Sequence, residues 1–382
     1  FNTMRGGIFD DQYVVHSDHF ERHVERFNQP VYQRRQALLD DLPETLENHD
    51  LLNRILEQGD SQLERLGYEY LPITFGRRHG DPSRPWNEFA IKLQDEQGKR
   101  LLCYQGNWRD IFQNWEALLW SYPEYTEQVI AKFVNASTAD GYNPYRISEA
   151  GIDWEVEDPD DPWSYIGYWG DHQIIYLLKL LELSYSFHPE MMRYLLPRPI
   201  FSYANVPYRI KPLQSLLKDP KNTVEYDHAR AKLIEERVGR LGADGRLLLD
   251  ASDEVIQVNL LEKLLVPLLS KLANLVVEGG IWLNTQRPEW NDANNALVGQ
   301  GLSMVTLYYM RRYVSFLLDL LATESGTTVL SEEVSLWLEQ TAGALTRLSA
   351  SLHEGAPSQE DRLSYLRQLG ETASSYRQSL YA

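Results

Sequence analysis

The sequence predicts a mainly helical protein built from antiparallel helical hairpins, and three observations carry that reading. Apolar residues recur at three- and four-residue steps through most of the 382 positions. Strand-like alternation is confined to one short stretch near residues 89–106. A tryptophan also stands two residues before an aspartate at the head of three long apolar runs, at Trp108-Arg109-Asp110, Trp169-Gly170-Asp171 and Trp290-Asn291-Asp292. The aspartates lie 61 (171 − 110) and 121 (292 − 171) residues apart, close to one and two units of a helical hairpin of about sixty residues.

The elements follow in order. Residues 10–68 read as helical, with QALLDDL and LLNRILEQGDSQLERL on a helical period and Pro30, Pro43 and Gly59 as punctuation. A loop-like stretch, PITFGRRHGDPSRPWNEF, leads into the expected β-hairpin FAIKL, QDEQGKR, LLCYQG, turning at Gly98. The next helix is expected from Asp110 to Ser121 and another from Pro123, ended by Asp140-Gly141. Residues 141–169 read as a long loop rich in aromatics, acids and proline, of the kind that builds binding sites. Its acidic run from Glu155 to Asp161 has oxygen ligands for a hard cation, or is simply a solvated turn shaped by Pro159 and Pro162.

Residues 191–219 are punctuated by proline and suggest an excursion over the helices. YDHARAKLIEERVGRL is helical, and EVIQVNLLEKLLVPLLSKLANLVV reads as one long helix, bent or broken at Pro267 and ended by Gly279-Gly280. The remaining helices are expected over 293–322, 331–351 and 358–381, the last two opened by acid-bearing first turns after Ser331 and Ser358.

Composition narrows the function. A hydrophobic content of 43% supports a sizeable core, in one large domain over 1–382 or in a piece of a longer protein, with 1–90 as a helical and loop segment and 91–382 as the hairpin core. The net charge of −18 argues against nucleic acid and anionic membranes as partners. One cysteine, Cys103, leaves no disulfide framework and no cysteine-built metal site. No apolar run reaches the length of a membrane span, which points to a soluble protein and favours the cytoplasm. His16, His19 and His23 share a helix face, a metal stripe or an ordinary polar face. No cofactor is implied.

Each aspartate of the three triplets stands where an N-cap belongs, and capping alone could explain any one of them. Three helices running in one direction would bring three carboxylates and three indoles to one rim, which suits a carbohydrate. Cleaving a glycosidic bond needs an acid to protonate the leaving oxygen, and groups that grip the ring. Asp292 is the acid candidate, because Glu289 lies close enough in sequence to raise its pKa by like-charge repulsion. Asp110, beside Arg109, stays charged and can accept from one hydroxyl while Arg109 donates to another. Trp108, Trp169 and Trp290 could stack on sugar faces, and Asp171, His172, Gln173, Asn291, Asn294 and Asn295 could add polar contacts.

At these residues the chain resembles the (α/α)6-barrel glycosidase and glycoside phosphorylase superfamily, which includes glucoamylase, trehalase, processing-type α-glucosidases and cellobiose phosphorylase. Gly106-Asn107-Trp108-Arg109-Asp110 is similar to the segment whose Arg and Asp hold the sugar beside the cleaved bond. Glu289-Trp290-Asn291-Asp292 is similar to the phosphorylases' D-W-N-D segment, whose last Asp is the general acid. The stretch from Asp110 to Asp140-Gly141-Tyr142-Asn143-Pro144 resembles the helix pair that follows the first motif in the processing glucosidases. The resemblance implies an (α/α)6 toroid of six hairpins, complete or partial, that cleaves an oligosaccharide or glycoside with inversion. Two departures stand out: Glu289 replaces the first Asp of D-W-N-D, and no spacer separates Trp108 from Arg109. Beyond Asp292, Glu339 and Glu354 have no motif around them, so the base is unassigned and hydrolysis, phosphorolysis and a non-catalytic sugar-binding scaffold all stay open.

Overall fold

A computed structural model of the chain describes residues 7–74, 94–160, 166–169, 173–284, 286–287, 297–322 and 326–382; the side chains of Arg109, Trp169, Gln286, Arg287 and Glu354 lie outside that description. The described residues are mainly helical, with small sheets of two or three short strands that are antiparallel except at one pair.

The first unit packs helices Ser17–Phe27, Gln29–Asp40, Asn48–Leu56 and Ser61–Glu69. Pro30 falls in the first turn of its helix, where its missing N–H costs nothing, and Asn28 caps that turn by accepting from Val31 N at 3.0 Å. A two-stranded ribbon, Val14–His16 against Thr45–Glu47, closes the unit and was not apparent in the sequence. The unit has a hydrophobic core of its own, from Val15, Phe20 and Val24 through Leu51 to Leu63, Leu66 and Tyr70. Of the three histidines, His19 and His23 are buried, while half-buried His16 meets Asp11 at 3.1 Å, so the face is neither a metal stripe nor a uniformly polar one. His23 is buried, its Nε2 3.1 Å from the Leu66 carbonyl. Burial holds His19 at a pKa of about 4.

The seam between this unit and the rest of the chain is unusually polar. Arg65, fully buried, meets Asp244 and Glu69, while Asn28 donates to Asp244 at 2.8 Å. Asn48 and Gln128 exchange amide hydrogen bonds across it, and Gln62 donates to the Val255 carbonyl at 2.7 Å. The seam is also close: at Gly242, with φ +99°, a Cβ would stand 2.4 Å from the Arg26 carbonyl oxygen.

Helices Trp108–Leu119, Thr126–Asn135, Gln173–Phe187, Leu260–Leu272 and Met304–Ala322 share the main hydrophobic core. Their contacts set their directions. The Trp108 ring lies 4.6 Å from that of Phe133, so the start of one helix meets the end of the next. Ser184 donates to Glu127 at 2.6 Å, so Gln173–Phe187 also opposes Thr126–Asn135. Glu182 pairs with Arg312 at 2.6 Å and Tyr185 touches Phe316, so Gln173–Phe187 and Met304–Ala322 advance together. The helices that follow the three triplets therefore run one way, and their N-terminal ends share one side.

Several boundaries depart from expectation. The expected turn forms, with Asp95 Oδ1 accepting from Gln97 and Lys99 and a bridge between Gln94 and Arg100. The first arm of that hairpin, residues 89–93, lies outside the described residues. Gln105–Asn107 pairs with Arg146–Ser148, which pairs in turn with Gly151–Asp153, so the predicted loop contains a small sheet. The helix holding Pro267 starts only at Leu260, capped by Asn259, and runs unbroken through the proline to Leu272. Residues before it are extended, tied by bridges Leu249 to Val255 and Phe201 to Val258. Gly280 begins a strand, Gly280–Trp282, between Leu275–Val276 and Leu302–Ser303. Pairing with that strand holds Leu302–Ser303 extended, so the last core helix begins at Met304 rather than at residue 293. Ser358 and Asp361 form the reciprocal capping box that the sequence signalled.

At the far end of the core helices, His188 meets the buried Glu127 at 3.2 Å, and this hydrogen bond raises its pKa. A raised folded pKa stabilises the protein below the unfolded value of about 6.5 and loses that contribution as pH rises through the folded value. The thermal midpoint of the wild type should fall across that window. His188→Gln should flatten this part of the profile, and an unchanged slope would rule the pair out.

Candidate active site

The first triplet sits at the start of Trp108–Leu119. Its cap is Asn107, whose Oδ1 accepts from Asp110 N at 3.1 Å, so Asp110 is the third helical residue and not the N-cap. Asn takes the position because its short amide reaches back to the third N–H. The Asp110 side chain lies in the first turn and is half-buried. Trp108 is fully buried, its ring 4.9 Å from Phe112 and 4.6 Å from Phe133. Such aromatic pairs add about 0.5–1.5 kcal/mol beyond burial. The stacking face expected of Trp108 is therefore corrected to a packing role beneath Asp110. Arg109 is in the helix, and its side chain lies outside the described residues.

The strands that precede the rest of the second triplet and the third triplet in sequence pair with each other. Tyr168–Trp169 pairs in parallel with Gln286–Arg287, in the register Tyr168 to Gln286 and Trp169 to Arg287. Trp169 and Arg287 thus end two parallel, hydrogen-bonded strands. Asp171, His172, Glu289, Trp290, Asn291, Asp292, Asn294 and Asn295 themselves lie outside the described residues.

Beneath the strand pair is a polar floor that sequence reasoning missed. Asp140, buried, accepts from Thr138, from Tyr168 at 3.1 Å and from Tyr381 at 2.7 Å. Tyr142 stacks on Tyr168 with ring centres 5.0 Å apart. Gly141 between them has φ +92°, and a Cβ there would stand 2.6 Å from Ser270 Cβ, so the turn and the close approach both need glycine. Gln173, expected to face a ligand, is instead turned inward. Its Nε2 donates to Asn143 at 2.8 Å and its Oε1 accepts from Lys271 Nζ at 3.0 Å. The one signal available was two lysines, Lys263 and Lys271, eight positions apart (271 − 263) in a helix that is apolar at most other positions.

Among the described residues no group of three or more His, Cys, Asp or Glu side chains could hold a metal ion, and that includes the acidic run from Glu155 to Asp160. Among them, too, no helix is long and apolar enough to cross a membrane.

The described residues define a mainly helical protein in which two short parallel strands lie over a buried polar cluster around Asp140. Residues 9–72, the four-helix unit with its own core, match the family model described as glycoside hydrolase family 149 insertion domain 1. That match ties the first unit to a glycoside-active enzyme family and supports the glycoside hydrolase part of the resemblance. No curated protein matches the chain.

Proposed function

We propose that the chain carries the sugar grip and general acid of an α/α-toroid enzyme that cleaves a glycosidic bond with inversion. The observation that carries the proposal is the parallel pairing of Tyr168–Trp169 with Gln286–Arg287, the residues that stand just before the rest of the second triplet and the third triplet in sequence. The common direction of the three helices and the family match over residues 9–72 support it. In this reading Asp292 protonates the glycosidic oxygen as the bond to the anomeric carbon breaks, and water or phosphate attacks that carbon from the opposite face. Glu289 keeps the acid protonated near neutrality. Arg109 and Asp110 hold the ring at the cleavage point, while Trp169, Asp171, His172, Trp290, Asn291 and Asn295 complete the subsite.

The likeness of Glu289-Trp290-Asn291-Asp292 to D-W-N-D favours phosphate as the nucleophile in a second version of the same reading. A panel of gluco- and manno-disaccharides and polysaccharides, incubated with and without phosphate, tests both. Product that needs phosphate identifies a phosphorylase, and product without it a hydrolase. Tight binding with no product would replace both with a sugar-binding scaffold.

A further inference from the structure

We propose that the cleft beside Asp140 binds a small neutral polyol of glycerol size, held by Asn205 and Arg230. The cleft lies between residues 138–140, residues 204–206, Arg230 and the end of the last helix at Tyr381. Its buried polar groups differ in one respect. The Asp140 carboxylate is satisfied, since it accepts from the hydroxyls of Thr138, Tyr168 and Tyr381. Asn205 is 4% exposed, its Oδ1 is buried without a donor, and its side-chain amide makes no hydrogen bond among the described residues. The backbone around it is fixed: Ala204 N donates to the Ser137 carbonyl at 3.0 Å, and Asn205 N to the Arg246 carbonyl at 2.8 Å. A rigidly held, buried amide with nothing to bond is costly, and marks a place where a ligand belongs. Arg230, half-buried, brings a second free group to the same cleft. Asp227, three residues earlier, gives its carboxylate to Arg209 at 2.7 Å and to the backbone N–H of Arg230 at 2.9 Å. The Arg230 guanidinium is left without a hydrogen bond or ion pair among the described residues.

Charge and donor count select the ligand. Asp140 and Arg230 give the cleft one charge of each sign, so an anion on Arg230 meets the field of Asp140 and a cation meets that of Arg230. A neutral molecule avoids both penalties. The unpaired groups are the NH2 of Asn205 and the guanidinium fork, which donate, and Asn205 Oδ1, which accepts. A hydroxyl brings one donor and two acceptor sites, whereas a carboxylate has no proton for Oδ1 and an amide brings more donors than this site can use. Two neighbouring hydroxyls can therefore serve Asn205 and Arg230 together. Val206, Leu248 and Leu380 supply apolar wall for the carbon chain. The cleft measures about 40 Å³. One water takes about 10–15 Å³ of such space, so about three waters or one glycerol-sized molecule fit.

The test follows glycerol binding to the full chain by saturation-transfer NMR, with propan-1-ol and inorganic phosphate as competitors. Glycerol should saturate at low millimolar concentration and resist both. Asn205→Leu and Arg230→Met should each weaken it at least about tenfold. Lys232→Met, which removes an exposed cation from the same helix as Arg230, should leave it unchanged. If Asn205→Leu does not fold, Arg230→Met decides alone, because its side chain is half-buried and bonds to nothing in the fold. No saturable binding would mean that the cleft holds water only, and competition by phosphate would make it an anion site. Equal affinity for propan-1-ol would remove hydroxyl recognition, and binding that survives both substitutions would place glycerol elsewhere. Each of these results overturns the proposal, and none of the readouts depends on glycoside turnover.

Discussion

Asp292→Asn should lower glycoside turnover by about 10²–10⁴-fold, the range a positioned general acid contributes. The amide has nearly the shape of the carboxyl group and still hydrogen-bonds, so sugar binding should be close to unchanged. The loss should therefore appear in kcat, which marks an interaction made in the transition state. The chemistry supplies an internal check. A glycosyl fluoride leaves without needing a proton, so the variant should recover most of its rate on that substrate. Glu289→Gln removes the neighbouring negative charge, lowers the pKa of the acid, and should move the alkaline limb of the rate profile to lower pH. Wild-type kcat in Asp292→Asn would remove this residue from the mechanism, and equal losses on the fluoride and on an ordinary disaccharide would point to misfolding of the site.

Asp244→Ala should destabilise the folded chain by about 3–5 kcal/mol, the usual cost of stripping one partner from a buried ion pair. Asp244 is 1% exposed and receives Arg65, itself fully buried, together with Asn28. Truncation leaves the guanidinium with Glu69 as its remaining carboxylate partner and the Asn28 amide without its acceptor. The double replacement Arg65→Met with Asp244→Leu should recover much of the loss, because well-packed apolar side chains often replace a buried pair at little cost. Denaturant melts of the two single variants and the double variant measure the coupling. Additive losses would show that the pair does not act as a unit.

Legibility in the sequence followed the range of the interactions. Ser358 and Asp361 cap one helix through contacts three residues apart, and such a local device is readable from spacing alone. Helical period likewise placed most of the helices. Asp110 was misread as a cap because the helix begins at Trp108, capped by Asn107, whose side chain accepts from the N–H of Asp110 itself. The start at Leu260 and the strand at Gly280–Trp282 were missed because pairing with distant strands, not local propensity, holds those residues extended. The site was legible only as a set of motifs. Two-residue strands such as Tyr168–Trp169 carry no periodicity, and a lysine in an apolar helix does not announce that Tyr142 and Gln173 converge on it.

The pairing of Tyr168 with Gln286 joins positions 118 residues apart (286 − 168). Two hydrogen-bonded residues cannot offset the entropy of closing so long a loop, so the strands meet only after the intervening helices have docked. The strand pair is then completed at the end of folding. Weakening this contact would hasten unfolding far more than it slows folding, since the barrier is crossed before the contact exists. The contact is thus a late marker of folding, the last of these elements to form and the first to be lost.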